Sequence, residues 1–465
     1  MNKQSTYSLP EEFGCRIRQQ FGEESNDFLN SLEQGAATSV RINPRKFSFR
    51  GDKLQSVPWC PSGFFLDERP VFTLDPLLHA GAYYVQESSS MFLEQVFRAT
   101  ESHRPRLVLD LCGAPGGKST HLLSLLGDDD LLVTNEVIQS RVKILQENVR
   151  KWGAHNVAIC NNDPKDFQRL NGFFDLVVVD APCSGEGLFR RDGAARAEWS
   201  PDNARLCSVR QRRILTDIWP SLKTSGYMIY STCTFNPEEN EENLKWLQEQ
   251  AGFESIRINL QAEWKVEEVE NNGVFAYRFL PHRVKGEGFF IALLRKTETQ
   301  TAFRFPKKGR PGADKLPSAL LPVKNWVAPG NFDFLFHRDT AVLFPQQWND
   351  ELKAVQQFLK VVDFGLPIAE LKGKNIAPNH FLSLSPLLKN GSFETTTLEL
   401  DEALKFLRKE EVKAESCNPG WQLACFRGVP LGFIKNIGNR ANNYFPTEWR
   451  IRMQVAQAGK LWHGE

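Results

Sequence analysis

The chain of 465 residues lacks the features that make several classes of protein easy to recognise. Its 57 basic and 56 acidic residues leave a net charge of +1, so it is not a polycation that binds nucleic acid through net charge alone. The segment MNKQSTYSLPEEF has no apolar signal-peptide core, and no apolar run approaches the roughly 18 residues of a membrane span. A cytoplasmic protein without a membrane segment is therefore expected.

Metal-binding and redox motifs are missing as well. None of the nine cysteines belongs to a Cys-x-x-Cys pair, which argues against a zinc ribbon or a thioredoxin-like centre. Their odd number and wide spacing suit a reducing compartment, where most cysteines pack as small hydrophobic residues. These patterns predict no metal site.

From residue 106 onward, short apolar strands alternate with amphipathic helices. Examples are RLVLDLC at 106–112, DLVVVD at 175–180 and the helix predicted over Gln139–Trp152. Near-continuous apolar strands joined by helices are typical of a parallel sheet covered on both faces, which predicts an α/β fold. Val274–Leu280 and Gly288–Arg295 fit a hairpin that closes one edge of this sheet.

Composition divides the chain into four parts. Residues 1–74 form a small α+β module, 75–296 the α/β domain, 297–325 a basic linker rich in proline and lysine, and 326–465 a mixed C-terminal region with β content. The first part contains a locally basic stretch beside a predicted strand. That stretch could be a solvated edge strand or an arm that contacts RNA; its basic residues are Arg41, Arg45, Lys46 and Arg50.

The first candidate site is a glycine-rich loop after the first strand of the α/β domain. It reads Cys112-Gly113-Ala114-Pro115-Gly116-Gly117-Lys118-Ser119. The Gly-Lys-Ser ending is similar to a P-loop, but that motif requires glycine at position 112, so a P-loop ATPase is disfavoured. What remains is a tight turn whose missing side chains let the backbone approach a ligand closely.

Acidic residues stand at the ends of the next strands. Glu136 ends the second strand, where a carboxylate can accept hydrogen bonds from a ribose, and Asp163 follows the third, where it can pair an adenine amino group. Asp180 ends the fourth. Because ligands of open α/β sheets collect at the carboxyl ends of strands, the pattern implies a nucleoside without a bulky phosphate, such as S-adenosylmethionine.

Two cysteines follow the fourth and fifth strands, beside the predicted ligand. They are Cys183 in DAPCSG and Cys233 in STCT. A thiolate that adds to carbon 6 of a pyrimidine makes carbon 5 nucleophilic enough to attack a methyl sulfonium, and an acid such as Asp180 can assist at ring nitrogen 3. The spacing alone leaves open which cysteine adds.

Together, the segments DLCGAPGGKS, DAPCSG and STCT resemble the Sun/Fmu-type RNA cytosine-5 methyltransferases. The resemblance covers about residues 1–296 and includes Asp75–Met91. The C-terminal part is similar to the RsmF-like branch, mainly through Gly432–Met453. It implies a class I S-adenosylmethionine methyltransferase fold, Rossmann-like with a mostly parallel seven-stranded sheet, plus an N-terminal RNA-contacting α+β module and a C-terminal PUA-like RNA-binding region.

The resemblance also implies roles for individual residues. Cys233 would be the nucleophile, Cys183 would assist product release, and Lys118 and Asp180 would face the target base. A larger set, which again includes Lys118 and Asp180, would surround S-adenosylmethionine: Cys112, Gly113, Ala114, Pro115, Gly116, Gly117, Lys118, Glu136, Arg141, Asp163 and Asp180. The implied substrate is RNA, with small-subunit (16S) ribosomal RNA first, and a monomer is the expected state.

Two basic clusters near the thiols fit phosphate contacts, although charge runs are also common on solvated faces. One cluster follows Cys183, at Arg190, Arg191, Arg196, Arg205, Arg210, Arg212 and Arg213, and the other comprises Arg278, His282, Arg283 and Lys285. The aromatic residues Phe189 and Trp199 fit core packing better than base stacking. Alternatives left open are the same chemistry on transfer RNA, and a non-catalytic RNA-binding or ribosome-assembly factor.

Overall fold

The computed structural model describes residues 7–49, 51, 53–100, 106–305, 314–373, 375–413, 418–438, 440–453 and 461–463. This part of the chain forms four β-sheets. Among the described residues, no helix combines the length and the apolar composition that crossing a membrane requires.

The N-terminal module comprises two helices and a four-stranded antiparallel sheet of order β2-β3-β1-β4. The helices coincide with two stretches of helical apolar spacing in the sequence, and their apolar side chains pack with Phe189, Trp199 and Phe235. The elements up to the large sheet are α1 (Glu11–Phe21), α2 (Ser25–Leu32), β1 (Thr38–Ile42), β2 (Ser56–Val57), β3 (Cys60–Leu66), α3 (Pro76–His79), β4 (Tyr83–Val85) and α4 (Leu93–Arg98).

The predicted edge strand of this module is an interior strand. β1 pairs with β3 on one side and β4 on the other, and Arg41 at its centre is fully buried. The Arg41 guanidinium donates to Gln86 Oε1 and Thr120 Oγ1, at 2.7 Å each. Both interpretations of this arginine, solvated or RNA-contacting, are therefore wrong, because its donors are used inside the protein. Arg50 lies outside the described residues.

A large sheet forms the centre of the molecule. Its strands run in the order β11-β12-β13-β9-β8-β5-β6-β7-β17, and β10 also pairs with β13. The elements are β5 (Leu107–Asp110), α5 (Gly117–Leu125), β6 (Leu131–Asn135), α6 (Gln139–Trp152), β7 (Val157–Cys160), β8 (Phe174–Asp180), α7 (Gly193–Glu198), α8 (Pro201–Ile218), β9 (Leu222–Thr232), α9 (Glu241–Gln250), β10 (Phe253–Ser255), β11 (Glu267–Asn271), β12 (Val274–Phe279), β13 (Phe289–Lys296) and, from the C-terminal region, β17 (Val361–Phe364).

The Rossmann-like prediction is confirmed for the core of this sheet. β5 to β9 are parallel, β13 is antiparallel to β9, and β12 returns antiparallel to β13 as the predicted hairpin. These are the seven expected strands, to which β10, β11 and β17 are added. Apolar strands sit between helices such as α6, which buries Val142, Leu145 and Val149 and ends at Gly153 in a left-handed conformation.

The C-terminal region contains two further sheets, of orders β14-β15-β16-β18-β19 and β20-β21-β22-β23. Of the predicted basic linker, residues 306–313, which include Lys307, Lys308 and Arg310, lie outside the described part. The elements are β14 (Asp314–Lys315), β15 (Phe332–His337), β16 (Thr340–Pro345), α10 (Asn349–Phe358), β18 (Leu366–Lys372), β19 (Asn375–Pro378), α11 (His380–Ser383), β20 (Glu394–Thr397), α12 (Leu400–Leu407), β21 (Gly420–Phe426), β22 (Val429–Asn436) and β23 (Ala441–Asn443).

The structure differs from the predicted division of the chain at β4, which follows residue 74 yet pairs with β1 of the N-terminal sheet, and at β17. β17 belongs by sequence to the C-terminal region, yet it extends the large sheet by pairing antiparallel with β7. The buried Arg150 of α6 supports this pairing, since its Nε donates to Asp363 Oδ2 at 2.7 Å. An edge strand leaves backbone groups unpaired, and β17 satisfies those of β7.

Candidate active site

The carboxyl ends of the parallel strands meet at one edge of the large sheet, where the predicted site residues lie. The glycine loop follows β5 and leads into α5, while Asp180 is the last residue of β8 and Cys233 directly follows β9. A cleft of about 310 Å³ opens between them. Its lining includes Cys112, Gly113, Ala114, Pro115, Gly117, Lys118, Asp180, Cys233 and Glu287.

The glycine loop is held close to its neighbours, which explains its composition. A Cβ atom at Gly113 would lie 2.3 Å from Thr134 Oγ1, and Gly116 has a φ of +118°, which disfavours other residues. Two side chains of α6 hold the loop backbone: Arg141 Nη2 donates to the Ala114 carbonyl and Asn148 Nδ2 to that of Pro115, at 2.7 Å each. The glycine loop, here called the glycine cradle, therefore lets a ligand approach its backbone closely.

The acidic residues at the strand ends differ in their burial and in the groups that they contact. Glu136 is buried: its Oε1 accepts the Ile138 backbone N–H at 2.9 Å, and its Oε2 lies 3.4 Å from Arg141 Nη1. Asp163 is partly exposed and lies 3.2 Å from Arg213 Nη1. Asp180 forms part of the cleft wall, whereas Glu136 and Asp163 are not among the residues that line the cleft.

Lys118 and Asp180 form an ion pair inside the cleft. Lys118 Nζ lies 2.8 Å from Asp180 Oδ2, while Ser231 Oγ donates to Asp180 Oδ1 at 2.8 Å. Burial by itself would lower the pKa of the Lys118 ammonium, but the charge and hydrogen bond of Asp180 raise it above its ordinary value. The Lys118 ammonium therefore keeps its proton beside Cys233, and it lies 5.0 Å from the centre of the Phe289 ring.

The two predicted thiols are neighbours in space. Cys183 Sγ and Cys233 Sγ lie 3.2 Å apart, although 50 positions separate them in the chain. The hydrogen bond to Cys233, and then burial, raise the pKa of Cys183 well above its ordinary value, so Cys183 keeps its proton at neutral pH. Cys233, in contrast, faces the cleft.

The sequence patterns did not indicate several buried carboxyl groups around the thiols. Glu239 accepts the Ser184 backbone N–H at 2.9 Å and a Gln211 Nε2 donor at 2.9 Å, and burial raises its pKa to about 7. Glu239 does not end a strand, so the rule that selects acids at strand ends misses it. Only folding brings it close to Ser184. Asp110 ends β5, and the strand-end rule that selected Glu136 would also have found it.

A further carboxyl group lies between the cleft and two arginines. Glu287 is buried in the cleft wall, and its Oε1 lies 3.4 Å from Arg191 Nε and 3.8 Å from Arg190 Nη1. Burial raises the pKa of Glu287, and the arginine charges partly offset that effect. No strand pattern marks this residue, since it precedes β13 rather than ending a parallel strand.

The predicted phosphate contacts after Cys183 are wrong for Arg196. This side chain is buried, lies 3.0 Å from Glu33 Oε1, and donates to the carbonyls of Phe189 and Leu32 at 2.8 Å each. Its donors are used to hold the N-terminal module. Phe189 and Trp199 are core residues, as predicted. Three arginines of this cluster remain exposed on α8 and could still contact phosphate: Arg205, Arg210 and Arg213.

The second basic cluster is also tied to acidic residues within the protein. Arg278 Nε lies 2.7 Å from Glu241 Oε1, and Arg283 Nη2 lies 2.6 Å from Glu24 Oε2. His282 Nε2 lies 3.0 Å from the same Glu24 oxygen. The two contacts with Glu24 join the β12–β13 connection to the helical part of the N-terminal module, whereas Arg278 joins β12 to α9.

The strand order, the glycine cradle and the strand-end acids fit S-adenosylmethionine, because the cleft offers close backbone approach with no triphosphate loop. Together with the paired thiols, they define an S-adenosylmethionine-dependent RNA cytosine-5 methyltransferase. Comparison with known families agrees. Residues 98–295 match the model described as 16S rRNA methyltransferase RsmB/F, and the chain belongs to this family. Residues 9–88 match the N-terminal domain of 16S rRNA methyltransferase RsmF, and 393–451 match the methyltransferase RsmF PUA domain.

Individual relatives cover almost the whole chain. Ribosomal RNA small subunit methyltransferase F of Escherichia coli O157:H7 is 30% identical, over 96% of this chain and 97% of its own. The protein of the same name from Klebsiella pneumoniae is 30% identical over 99% of both chains. Among solved structures, a methyltransferase homolog protein from Pyrococcus horikoshii is 28% identical with a TM-score of 0.53, over 63% of this chain and 96% of its own.

Proposed function

We propose that this protein methylates carbon 5 of a cytosine in 16S ribosomal RNA through a covalent adduct with Cys233. One observation carries the proposal: two sulfur atoms 3.2 Å apart lie beside the Lys118–Asp180 ion pair at a glycine cradle. The methyl donor and the target cytosine must bind next to each other at such a point, because methyl transfer requires the nucleophilic carbon and the methyl sulfonium to be adjacent.

S-adenosylmethionine supplies an electrophilic methyl group when bound. The residues proposed to hold it are Cys112, Gly113, Ala114, Pro115, Gly116, Gly117, Lys118, Glu136, Arg141, Asp163 and Asp180. Supporting this assignment, the loop backbone lines the cleft and the buried Glu136 is pinned by Ile138 and Arg141. A buried carboxylate held in this way can accept the hydrogen bonds of a ribose.

The Cys233 thiolate adds to carbon 6 of the cytosine, and the Lys118 ammonium, held in place by Asp180, stabilises the negative charge that develops at ring nitrogen 3. This addition makes carbon 5 nucleophilic toward the methyl group that bound S-adenosylmethionine would supply. Solvent water then takes the carbon 5 proton while Cys233 is expelled as a thiolate, which restores the carbon 5–carbon 6 double bond. Lys118 and Cys233 line the same cleft, so both can reach one bound cytosine.

Cys183 is proposed to assist the last step. Its raised pKa keeps it a thiol, and its contact with Cys233 lets it donate a hydrogen bond to that sulfur. A thiol in this position helps Cys233 leave as a thiolate, since the departing sulfur gains negative charge. Without it, the protein should remain bound to its product.

The proposal is tested with the full chain, tritiated S-adenosylmethionine and 16S RNA. Cys233→Ala should abolish methyl transfer, whereas Cys183→Ala should accumulate an RNA adduct visible on denaturing gels. Cys425→Ala, which removes a buried thiol on β21 of the C-terminal region, is the matched control and should do neither. Substantial residual methylation by Cys233→Ala would contradict its role, and absence of an adduct would contradict that of Cys183.

The proposed RNA substrate is inferred from the relatives, whose names specify the RNA of the small ribosomal subunit. Bisulfite sequencing of total RNA from cells with and without the gene should reveal a single cytosine lost from the methylated set in 16S RNA. A lost position in transfer RNA would instead support the alternative substrate. Since its substrate would be ribosomal, we also assign the protein to the cytoplasm.

The predicted division into domains gives each part a role in this function. Residues 1–74 contact RNA, 75–296 carry out methylation, 297–325 connect and 326–465 bind RNA through the PUA-like part. A groove of about 1110 Å³ between the N-terminal module and the Arg190–Arg191 pair supports an RNA path, because Arg191 also lines the catalytic cleft. Arg69 borders this groove, and Arg69→Glu should weaken RNA binding but leave donor binding unchanged.

We further infer that the protein acts as a monomer. One chain supplies both cysteines, the ion pair and the glycine loop, so the site is complete without a second copy. Light scattering coupled to size-exclusion chromatography should give a mass near 53.0 kDa, and a mass twice as large would refute the inference.

A further inference from the structure

Three side chains that commonly bind metals meet outside the active site. They are Cys60 at the start of β3, Glu94 on α4 and His121 on α5, and all three are buried. Glu94 Oε2 lies 3.3 Å from His121 Nε2 and 3.4 Å from Cys60 Sγ, while Sγ and Nε2 are 4.0 Å apart. Because 34 and 27 positions separate Glu94 from its partners, no sequence motif marks the cluster.

These distances are close to those of a tetrahedral zinc site. Zinc bonds of about 2.0–2.3 Å to oxygen, nitrogen and sulfur place the ligand atoms roughly 3.3–3.7 Å from one another. Two of the three separations are within this range, and the third exceeds it by a few tenths of an ångström. A thiolate, an imidazole and a carboxylate together also favour Zn²⁺ over the harder Mg²⁺ and Ca²⁺.

We propose that Cys60, Glu94 and His121 bind one zinc ion, with the fourth coordination position open to a cavity. The cavity has a volume of about 410 Å³ and is lined by Glu94, His121 and Ser62, so it provides both an entry path and space for a water ligand. Binding forms Zn–Sγ, Zn–Nε2 and Zn–Oε2 bonds. The Cys60 thiol proton passes to solvent, the imidazole proton stays on Nδ1, and no oxidation state changes.

The surroundings orient the ligand atoms. Arg98 donates to Glu94 Oε1 through Nη2 at 2.8 Å and Nε at 3.1 Å, which leaves Oε2 for Cys60 and His121. His121 Nδ1 has no hydrogen-bond partner among the described residues, so Nε2 is the nitrogen that faces the cluster. The two positive charges of Zn²⁺ would be balanced by the Glu94 carboxylate and the Cys60 thiolate, while Arg98 stays paired with Glu94 Oε1.

The position of the site suggests what the ion would do. His121 lies one helical turn after Lys118 on α5, and Cys60 belongs to the N-terminal sheet. A zinc ion would therefore join the N-terminal module to the helix that presents the glycine loop and Lys118. Its role would be structural support of the donor cleft, distinct from the methylation chemistry.

The test uses the full chain and does not depend on activity. After removal of loosely bound metal, elemental analysis should find one zinc ion per chain in the wild type and in Cys425→Ala, a control at another buried cysteine. Cys60→Ala and Glu94→Gln should lose most of it. A chelator should lower the Tm of the wild type and the control but not of these two variants.

Cobalt provides a second readout on the wild type, which avoids variants that fail to fold. Co²⁺ added to the metal-free protein should produce a thiolate-to-cobalt charge-transfer band and the visible bands of tetrahedral cobalt. Zinc far below one ion per chain with no thiolate band would overturn the proposal. Full zinc content in both Cys60→Ala and Glu94→Gln would overturn it equally.

Discussion

At the scale of single residues, Gly113 shows why the loop composition is so restricted. Its backbone passes between β5 and β6, with its N–H donating to the Asn135 carbonyl at 2.7 Å. The space that a side chain would need is filled by Thr134 Oγ1 and Ser119 Oγ, which would lie 2.3 and 2.9 Å from a Cβ atom at this position. Glycine here is a requirement of packing as much as of ligand approach.

Gly113→Ala should therefore destabilise the fold and weaken donor binding. Overpacking at such a site destabilises a fold by about 1–3 kcal/mol. If displacement of the loop lowers the binding free energy by about 1.4 kcal/mol, the affinity for the methyl donor falls roughly tenfold. Urea unfolding and calorimetry measure the two effects. Gly14→Ala on α1 is the control, since the nearest atom to its added Cβ would be Arg18 Nη1 at 3.6 Å, and equal losses in both variants would contradict this explanation.

Asp110 should make stability depend on pH. Burial first, and then the charges of Asp180 and Glu136, raise its pKa from 3.8 to about 7. Between those values the unfolded chain releases a proton that the folded chain keeps, so stability should fall as pH rises, by about 1.4 kcal/mol for each pH unit, and level off above about pH 7.

Asp110→Asn should remove this dependence. Relative to the wild type, the variant should gain stability steadily from about pH 4 to pH 7, measured by urea unfolding across that range. Asp128→Asn, at an exposed carboxylate, should leave the pH profile unchanged. Parallel profiles for wild type and Asp110→Asn would show that Asp110 ionises normally in the folded protein.

At the scale of secondary-structure elements, β17 depends on one buried cation. Arg150 is 1% exposed and is satisfied by Asp363 together with the carbonyls of Phe364 and Gly365. All three acceptors belong to β17 or directly follow it. The strand therefore neutralises a charge that α6 would otherwise bury without a partner.

Asp363→Ala should destabilise the protein by about 3–5 kcal/mol, because it leaves Arg150 buried and unpaired. Thermal and urea unfolding of the full chain give the measurement. Asp350→Ala removes an exposed carboxylate that pairs with Lys353 on the surface and should change stability by less than about 1 kcal/mol. Similar effects of the two substitutions would mean that β17 does not need its ion pair.

At the scale of the whole molecule, the two ends of the chain share one hydrophobic core. Val40 and Leu66 of the N-terminal sheet pack in the same cluster as Leu404, Phe406 and other residues of the C-terminal region. His463 adds a polar contact, with Nε2 3.0 Å from Asp75 Oδ2. The N-terminal module and the C-terminal region are thus packed against each other through this core.

Phe406→Ala should therefore loosen both ends. Truncating this buried ring should cost about 3–5 kcal/mol and speed hydrogen exchange of amides in β1 as well as in β21. Phe433→Ala is the control, because Phe433 packs in a cluster formed by residues after position 315 and should affect C-terminal amides only. Unchanged exchange in β1 of Phe406→Ala would indicate independent units.

Features that depend on neighbouring residues could be predicted from the sequence, whereas features that depend on distant residues could not. The strands β5 to β9, the helix bounds of α1, α2 and α6, the loop at 112–118 and the positions of Asp180, Cys183 and Cys233 could all be predicted, because each depends on local apolar periodicity or on the carboxyl-end rule. The burial of Arg41 and Arg196 could not, since a basic residue looks solvent-exposed until its distant acceptors are known.

The sequence by itself determined the class of fold, the donor loop and the two thiols, because strand periodicity and short motifs are written in neighbouring residues. Only the tertiary structure decided that Cys183 and Cys233 touch, that β17 joins the catalytic sheet, and that Cys60, Glu94 and His121 meet. These contacts form when distant segments pack together to bury apolar surface. The spacing of the residues along the chain does not indicate which of them will meet.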